Sequence, residues 1–147
     1  MPHITQSITQ AGPQLDLFVS PSEPRIKALL AAGKQLPALV KIRGLVDTGA
    51  SGACIDLGCL VALDLSPTGR VAILTPSTGG QAHNCNQYDI QLLIPHPNGN
   101  YLRIPSLPII ESNLKAPQGI DALIGRDVLS RCLFVYDGGA NIFSLAF

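Results

Sequence analysis

Short apolar stretches separated by glycine- and proline-rich breaks run the length of the chain, a rhythm that predicts strands and turns. Residues 14–20 alternate loosely and read as a first strand, ended by Pro21 and Pro24. Residues 25–33 contain Ala28-Leu29-Leu30-Ala31-Ala32 and fit either a short helical turn closed by Gly33 or a loop. Residues 37–46 read as a strand running into Asp47-Thr48-Gly49, and residues 52–63 as an apolar stretch with a break near Gly58. Residues 71–74 form a short strand before a dense turn signal at 75–80. Tyr88, Ile90, Leu92 and Ile94 mark a half-exposed strand, and Asn98-Gly99 a hairpin turn. Two further extended segments follow at 101–105 and 107–110, then a buried strand at 120–124 ending at Gly125. Residues 127–132 are the best helix candidate, with Asp127 placed to cap or favour its first turn. Residues 133–136 and 141–147 predict a closing hairpin around Asp137-Gly138-Gly139. The class expected is all-β, one domain over residues 14–147 preceded by a flexible polar lead at 1–13.

Composition narrows the partners. The 147 residues are 46% hydrophobic and 14% charged, enough for a core and unlike a disordered chain. Ten basic residues balance ten acidic ones without a charge run, so nucleic acid is not an expected partner. No apolar run approaches the roughly 20 residues that span a bilayer, so no membrane is expected either. The polar start lacks the apolar core of an export signal, and a cytoplasmic protein is expected. Cys54, Cys59, Cys85 and Cys132 then read as reduced thiols. His83 and Cys85 lie close together without paired ligand spacing, so neither a metal nor a cofactor is expected.

Two segments carry candidate chemistry. In Gly44-Leu45-Val46-Asp47-Thr48-Gly49-Ala50-Ser51 an apolar strand delivers a carboxylate, and a Thr-Gly pair follows at once. A carboxylate at the end of an apolar strand is costly unless hydrogen-bonded or set in a cleft. The same residues also suit an ordinary strand end with a polar turn. In Asp121-Ala122-Leu123-Ile124-Gly125-Arg126-Asp127 two apolar residues lead into a glycine and a short helix, which by itself is only a strand, a tight turn and a cap. No serine or cysteine sits in a nucleophile setting with the scattered His3, His83 and His96, and no phosphate-binding glycine motif occurs.

In this order, the two segments resemble those of the retropepsin-like aspartic proteases, which pair an apolar-apolar-Asp-Thr-Gly-Ala loop with a later apolar-apolar-Gly-Arg-Asp or Gly-Arg-Asn segment. The resemblance runs over residues 37–147 by element order and is specific at Leu45 to Ala50 and Leu123 to Asp127. It implies a single-lobed closed barrel with one short C-terminal helix and a flap hairpin. It implies that Asp47 is the catalytic aspartate, supported by Thr48, Gly49, Ala50 and Ser51. Thr48 would bond across a dimer axis, and Gly49 would admit the substrate backbone. Leu123, Ile124 and Gly125 would pack behind the loop, with Arg126 and Asp127 completing that structural motif. Retroviral members pair the arginine with an aspartate two residues after the motif glycine. Here that position is Ser51, as it often is in cellular and bacterial relatives, which leaves Asp56 or Asp127 as partners for Arg126. By order, the flap is the hairpin between Val71 and Ile90, its tip within Thr75, Pro76, Ser77, Thr78 and Gly79.

Amide hydrolysis by an activated water needs one carboxylate as base and one carboxylic acid to polarise the carbonyl. One Asp-Thr-Gly per chain therefore implies a homodimer acting on a peptide or protein substrate. Asp137 faintly echoes Asp47, but the glycine pair after it marks a tight turn. The apolar segment 141–147 would be an exposed edge in a monomer, and the resemblance implies that it joins an intersubunit sheet. A non-catalytic dimeric peptide-binding module with the same fold is the rival reading.

Overall fold

The computed structural model describes residues 1–75 and 79–147. Alternation of apolar and polar residues places β2 (Gln14–Pro21) with Leu15, Leu17 and Val19 inward. β2 pairs antiparallel with β3 (Val40–Val46), whose Ile42 and Val46 enter the same core. β3 lies parallel to β8 (Ala122–Ile124), and β8 pairs with β4 (Cys54–Asp56). β4 runs parallel to β7 (Tyr101–Ser112), which pairs with β6 (His83–Pro95). β6 then returns to β2 through Phe18–Leu93 and its neighbours, closing a six-stranded barrel. β5 (Gly69–Ile73) hangs from the outer edge of β6 as the first arm of a hairpin.

Residues 101–110, expected as two segments, form one strand. Between the pairs Ile90–Leu107 and Leu92–Ile104, Gln91 faces both Pro105 and Ser106. That bulge lets a proline with no N–H stay inside a central strand.

Among the described residues four short helices join the strands, where one at the C-terminal end was expected and residues 25–33 were open between a helical turn and a loop. Residues 23–31 resolve as the longest, α1 (Glu23–Ala31), with Pro24 in its first turn and a Lys27–Glu23 ion pair of 2.7 Å. It buries none of its residues. α2 (Leu57–Ala62) starts at the expected break, with Asp56 accepting from Gly58 N at its N-cap. α3 (Lys115–Gln118) closes on Gly119 in the left-handed region. The expected C-terminal helix, α4 (Arg126–Leu129), begins one residue earlier and ends three residues sooner than the apolar pattern suggested.

A second sheet lies outside the barrel. β9 (Leu133–Asp137) and β10 (Ile142–Ala146) form the expected hairpin, while β1 (His3–Ser7) covers the other side of β10. Two expectations change here. The lead at residues 1–13 contains a paired strand whose Ile4 is buried, and His96 Nε2 holds the His3 carbonyl at 2.8 Å. The segment 141–147 is no edge: β10 is flanked on both sides, with Phe143 and Leu145 in the core. Among the described residues no helix is long and apolar enough to cross a membrane.

Candidate active site

The two sequence segments meet at the mouth of the barrel. Parallel pairing sets Leu45 against Leu123 and Val46 against Ile124, and Asp47 N donates to the Ile124 carbonyl at 3.0 Å. The strand thus carries Asp47 out of the core at the point where the backbone turns. Asp47 is half-buried, and its Oδ1 accepts from Gly49 N at 2.9 Å. Ala50 N closes the turn on the Asp47 carbonyl at 3.2 Å.

Behind this turn lies a dense lattice of main-chain bonds. Arg126 N donates to the Ala50 carbonyl at 3.0 Å, and Ala53 N donates to Asp127 Oδ2 at 2.9 Å. Asp127 also accepts from Val128 N, so its carboxylate serves the helix start and the loop together. Gly125 is buried against the backbone of Gly52, where a Cβ would fall 2.6 Å from the Gly52 carbonyl carbon. Only glycine allows the segments this close.

The partner of Arg126 is neither Asp56 nor Asp127. Its Nη1 donates to the carbonyls of Thr48 (2.9 Å) and Gly49 (3.0 Å), bracing the loop from outside. Asp56 instead ties down α3, accepting from Leu114 N and Lys115 N at 2.9 Å each. Those bonds, with Lys115 N the strongest influence, hold its carboxyl below the usual range against the opposing effect of burial. Asp121 plays a similar part on β3, accepting from Arg43 N at 2.8 Å and from Lys115 Nζ at 3.0 Å.

A cavity of about 700 Å³ opens over the Asp47 loop. Asp47, Gly49, Ala50 and Ser51 form its floor, with Gly52, Ala53 and Asp127 beside them. One wall is Val71, Ile73, Leu74 and Thr75 at the end of β5; the other is Pro108, Ile109 and Ile110 on β7. Apart from Asp47, Asp127 and the hydroxyl and amide groups of Ser51, Thr75 and Gln87, the lining side chains are apolar. The hairpin expected between Val71 and Ile90 exists as β5 paired with β6. Of its expected tip, Thr75 lines the cavity and Gly79 is exposed with φ of 61°. Pro76, Ser77 and Thr78 lie outside the described residues. The wall on β7 had no local signal in the sequence, because its residues reach the cavity only through strand pairing.

Burial disfavours the thiolate at all four cysteines. Burial pushes the Cys54 thiol, beneath the loop, up to about 11, and does the same for Cys59. Burial likewise raises Cys85 and Cys132, and none of the four is bonded to another.

No family model and no curated relative matches the sequence. Solved structures do. A retropepsin-like aspartic protease from Rickettsia conorii aligns over 99% of this chain and 90% of its own, at TM-score 0.61 and 18% identity. The chain has the retropepsin-like aspartic protease fold. An aspartic proteinase from Irpex lacteus aligns over 99% of this chain at TM-score 0.53 and 16% identity. Of that longer protein the chain spans 47%. Within this fold the Asp47 loop, the Gly125 segment and the hairpin stand around one cavity.

Proposed function

We propose that the chain is an aspartic endopeptidase working as a homodimer, with a water activated between the Asp47 carboxyls of two copies. The observation that carries the reading is the Asp47 carboxylate, braced by Gly49 N, on the floor of a large, mostly apolar cavity. Fold neighbours that are aspartic proteases support the same chemistry.

Each chain supplies one such carboxylate, and hydrolysis needs a base and an acid. Two carboxyls held together in a poorly solvated site share a proton, because like charges repel there. They titrate as a pair, and cleavage is expected in the mildly acidic range, roughly pH 4 to 6. Thr48 is exposed beside Asp47 and would meet the partner's loop. The β5–β6 hairpin would cover an extended peptide laid across the floor, and the Val71, Ile73 and Ile110 side chains would receive its apolar groups. Arg126 and Asp127 would hold the loop in place through their bonds to Thr48, Gly49 and Ala53.

The test is cleavage of an unfolded protein across that pH range by the wild type and by Asp47→Asn. Loss of cleavage with an intact fold and dimer, together with inhibition of the wild type by a statine-type mimic, is the expected result. Retained cleavage in Asp47→Asn ends the proposal. Peptide binding without turnover by the wild type favours a non-catalytic binding module.

A further inference from the structure

The cavity over the Asp47 loop holds a second carboxylate. Asp127 lines it beside Gly52, and each of its oxygens is engaged from one side only: Oδ1 accepts from Val128 N and Oδ2 from Ala53 N, both at 2.9 Å. A carboxylate offers about four lone-pair directions, so two main-chain bonds leave room for further donors. Gly52 decides whether those directions can be reached. It is exposed, and a Cβ built on it would stand 3.7 Å from Asp127 Oδ2 with nothing else as near. The missing side chain therefore leaves the carboxylate open to the cavity.

Charge balance makes the feature informative. Elsewhere Asp16, Glu23 and Asp121 each pair with lysine, arginine or both. Among the described residues no cation pairs with Asp127. The adjacent Arg126 guanidinium turns instead to the Thr48 and Gly49 carbonyls, and no lysine, arginine or histidine is among the residues lining the cavity. The cavity is thus apolar over most of its wall and acidic at two points, Asp47 and Asp127.

We propose that Asp127 is a specificity-determining residue, selecting substrates that carry a lysine or arginine near the apolar residues at the scissile bond. The inference rests on the peptidase reading above and adds a charge preference to it. A cationic side chain entering over Gly52 meets Asp127 Oδ2 and forms a charge-assisted hydrogen bond. Salt screens a partly buried pair less than one at an open surface. A glutamate or aspartate in the same place faces an uncompensated like charge and is rejected. In a two-fold dimer the site occurs twice, once on each side of the Asp47 pair. The favoured substrate is an extended peptide with an apolar centre and a basic residue on either side of it.

A lysine scan tests this. Peptides with an apolar centre carry lysine, norleucine or glutamate at each flanking position in turn. Their kcat/KM is measured at about pH 5 for the wild type, Asp127→Asn and Gly52→Val, with folding checked by circular dichroism. The wild type is expected to favour lysine over norleucine by roughly tenfold at one position on each side of the cleaved bond, the usual weight of a hydrogen bond to a charged group. It is expected to cleave the glutamate peptides least. The ratio is taken within one enzyme, so a general loss of activity or stability does not move it. In Asp127→Asn it is expected to fall close to one. Gly52→Val keeps both main-chain bonds to Asp127 and covers Oδ2 with apolar carbons, and it is expected to lower the ratio as well. It decides the question if Asp127→Asn does not fold. A wild-type ratio near one, or a lysine preference undiminished in the folded variants, overturns the inference and leaves the peptidase standing. Peptides that bind without being cleaved, tighter with lysine than with norleucine by fluorescence anisotropy, would sink the peptidase and leave the Asp127 site standing. A wild type that neither binds nor cleaves any of them overturns both.

Discussion

Two turns in this molecule share a local plan and differ in everything around them. Asp47 in Asp47-Thr48-Gly49 accepts from Gly49 N, and Asp137 in Asp137-Gly138-Gly139 accepts from Ala140 N, both at 2.9 Å. Each is a side chain closing its own turn, as aspartate commonly does. Asp137, however, stands exposed at the tip of the β9–β10 hairpin. Asp47 leaves a barrel strand into a cavity, with Ile124, Ala50 and Arg126 holding its loop from behind. A turn motif makes a carboxylate available; the second segment packed against it makes a site.

The largest break in this comparison comes from removing each carboxylate in turn. Asp47→Asn is expected to lower the turnover of an unfolded protein substrate by a factor on the order of 10² to 10⁴, the usual weight of an acid–base group. Asp137→Asn keeps its turn and is expected to leave turnover within about twofold, since surface changes of this kind are nearly neutral. Equal losses in the two variants would dissolve the distinction.

Glycine provides the next contrast. An added Cβ at Gly125 meets the Gly52 backbone at 2.6 and 2.7 Å, whereas at Gly138 it meets only the Tyr136 ring at 3.5 Å. Overpacking against backbone cannot relax through a rotamer, so Gly125→Ala is expected to cost about 2 to 3 kcal/mol. Gly138→Ala is expected to change stability by less than about 0.5 kcal/mol. Urea unfolding of both variants measures the difference.

A smaller effect is expected at Arg126, which is exposed and holds the Thr48 and Gly49 carbonyls. Arg126→Ala should lower turnover about tenfold through a looser loop, a modest share of what misplacing a catalytic group can cost. Stability should move little. Loss of folding instead would make Arg126 a structural strut for the barrel.

Much of this arrangement was legible in the sequence. The strands flanking Asp47 and Gly125 announced themselves through apolar leads ending in a carboxylate or a glycine. What escaped reading was non-local. β1 has a single buried residue, Ile4, too little for a period-two pattern. α1 has no buried face, so nothing in its sequence separated helix from loop. β7 looked interrupted at Pro105 because a bulge absorbs the proline only once β6 lies alongside. The place of β10 between β1 and β9 is a fact of sheet order, which local alternation does not encode. Acidic residues are the partners a sequence offers for Arg126, because main-chain carbonyls leave no mark in it.

The smallest predicted effect concerns acid, and it bears on how the Asp47 comparison is measured. Asp56 accepts from Lys115 N, Leu114 N and Gly58 N, so its carboxyl is held below its ordinary value. Asp16 is lowered as well, chiefly by its hydrogen bond with Arg43 and then by Lys41. A carboxyl whose folded pKa is depressed stabilises the fold fully above its unfolded value, near 3.9, and loses that contribution as pH falls through the folded value. Both contributions should therefore be intact at roughly pH 4 to 6, where cleavage is expected, and fade below about pH 4. Asp56→Asn keeps one acceptor oxygen but turns an amide toward a second set of N–H donors, and is expected to cost about 1 kcal/mol at neutral pH. That cost should shrink below about pH 4, because the wild-type carboxyl is then protonating too. Urea unfolding of wild type and Asp56→Asn at pH 7, 5 and 3 tests the sign. A gap that widens toward acid would mean that the Asp56 carboxyl is raised on folding, and that α3 is not held by its charge.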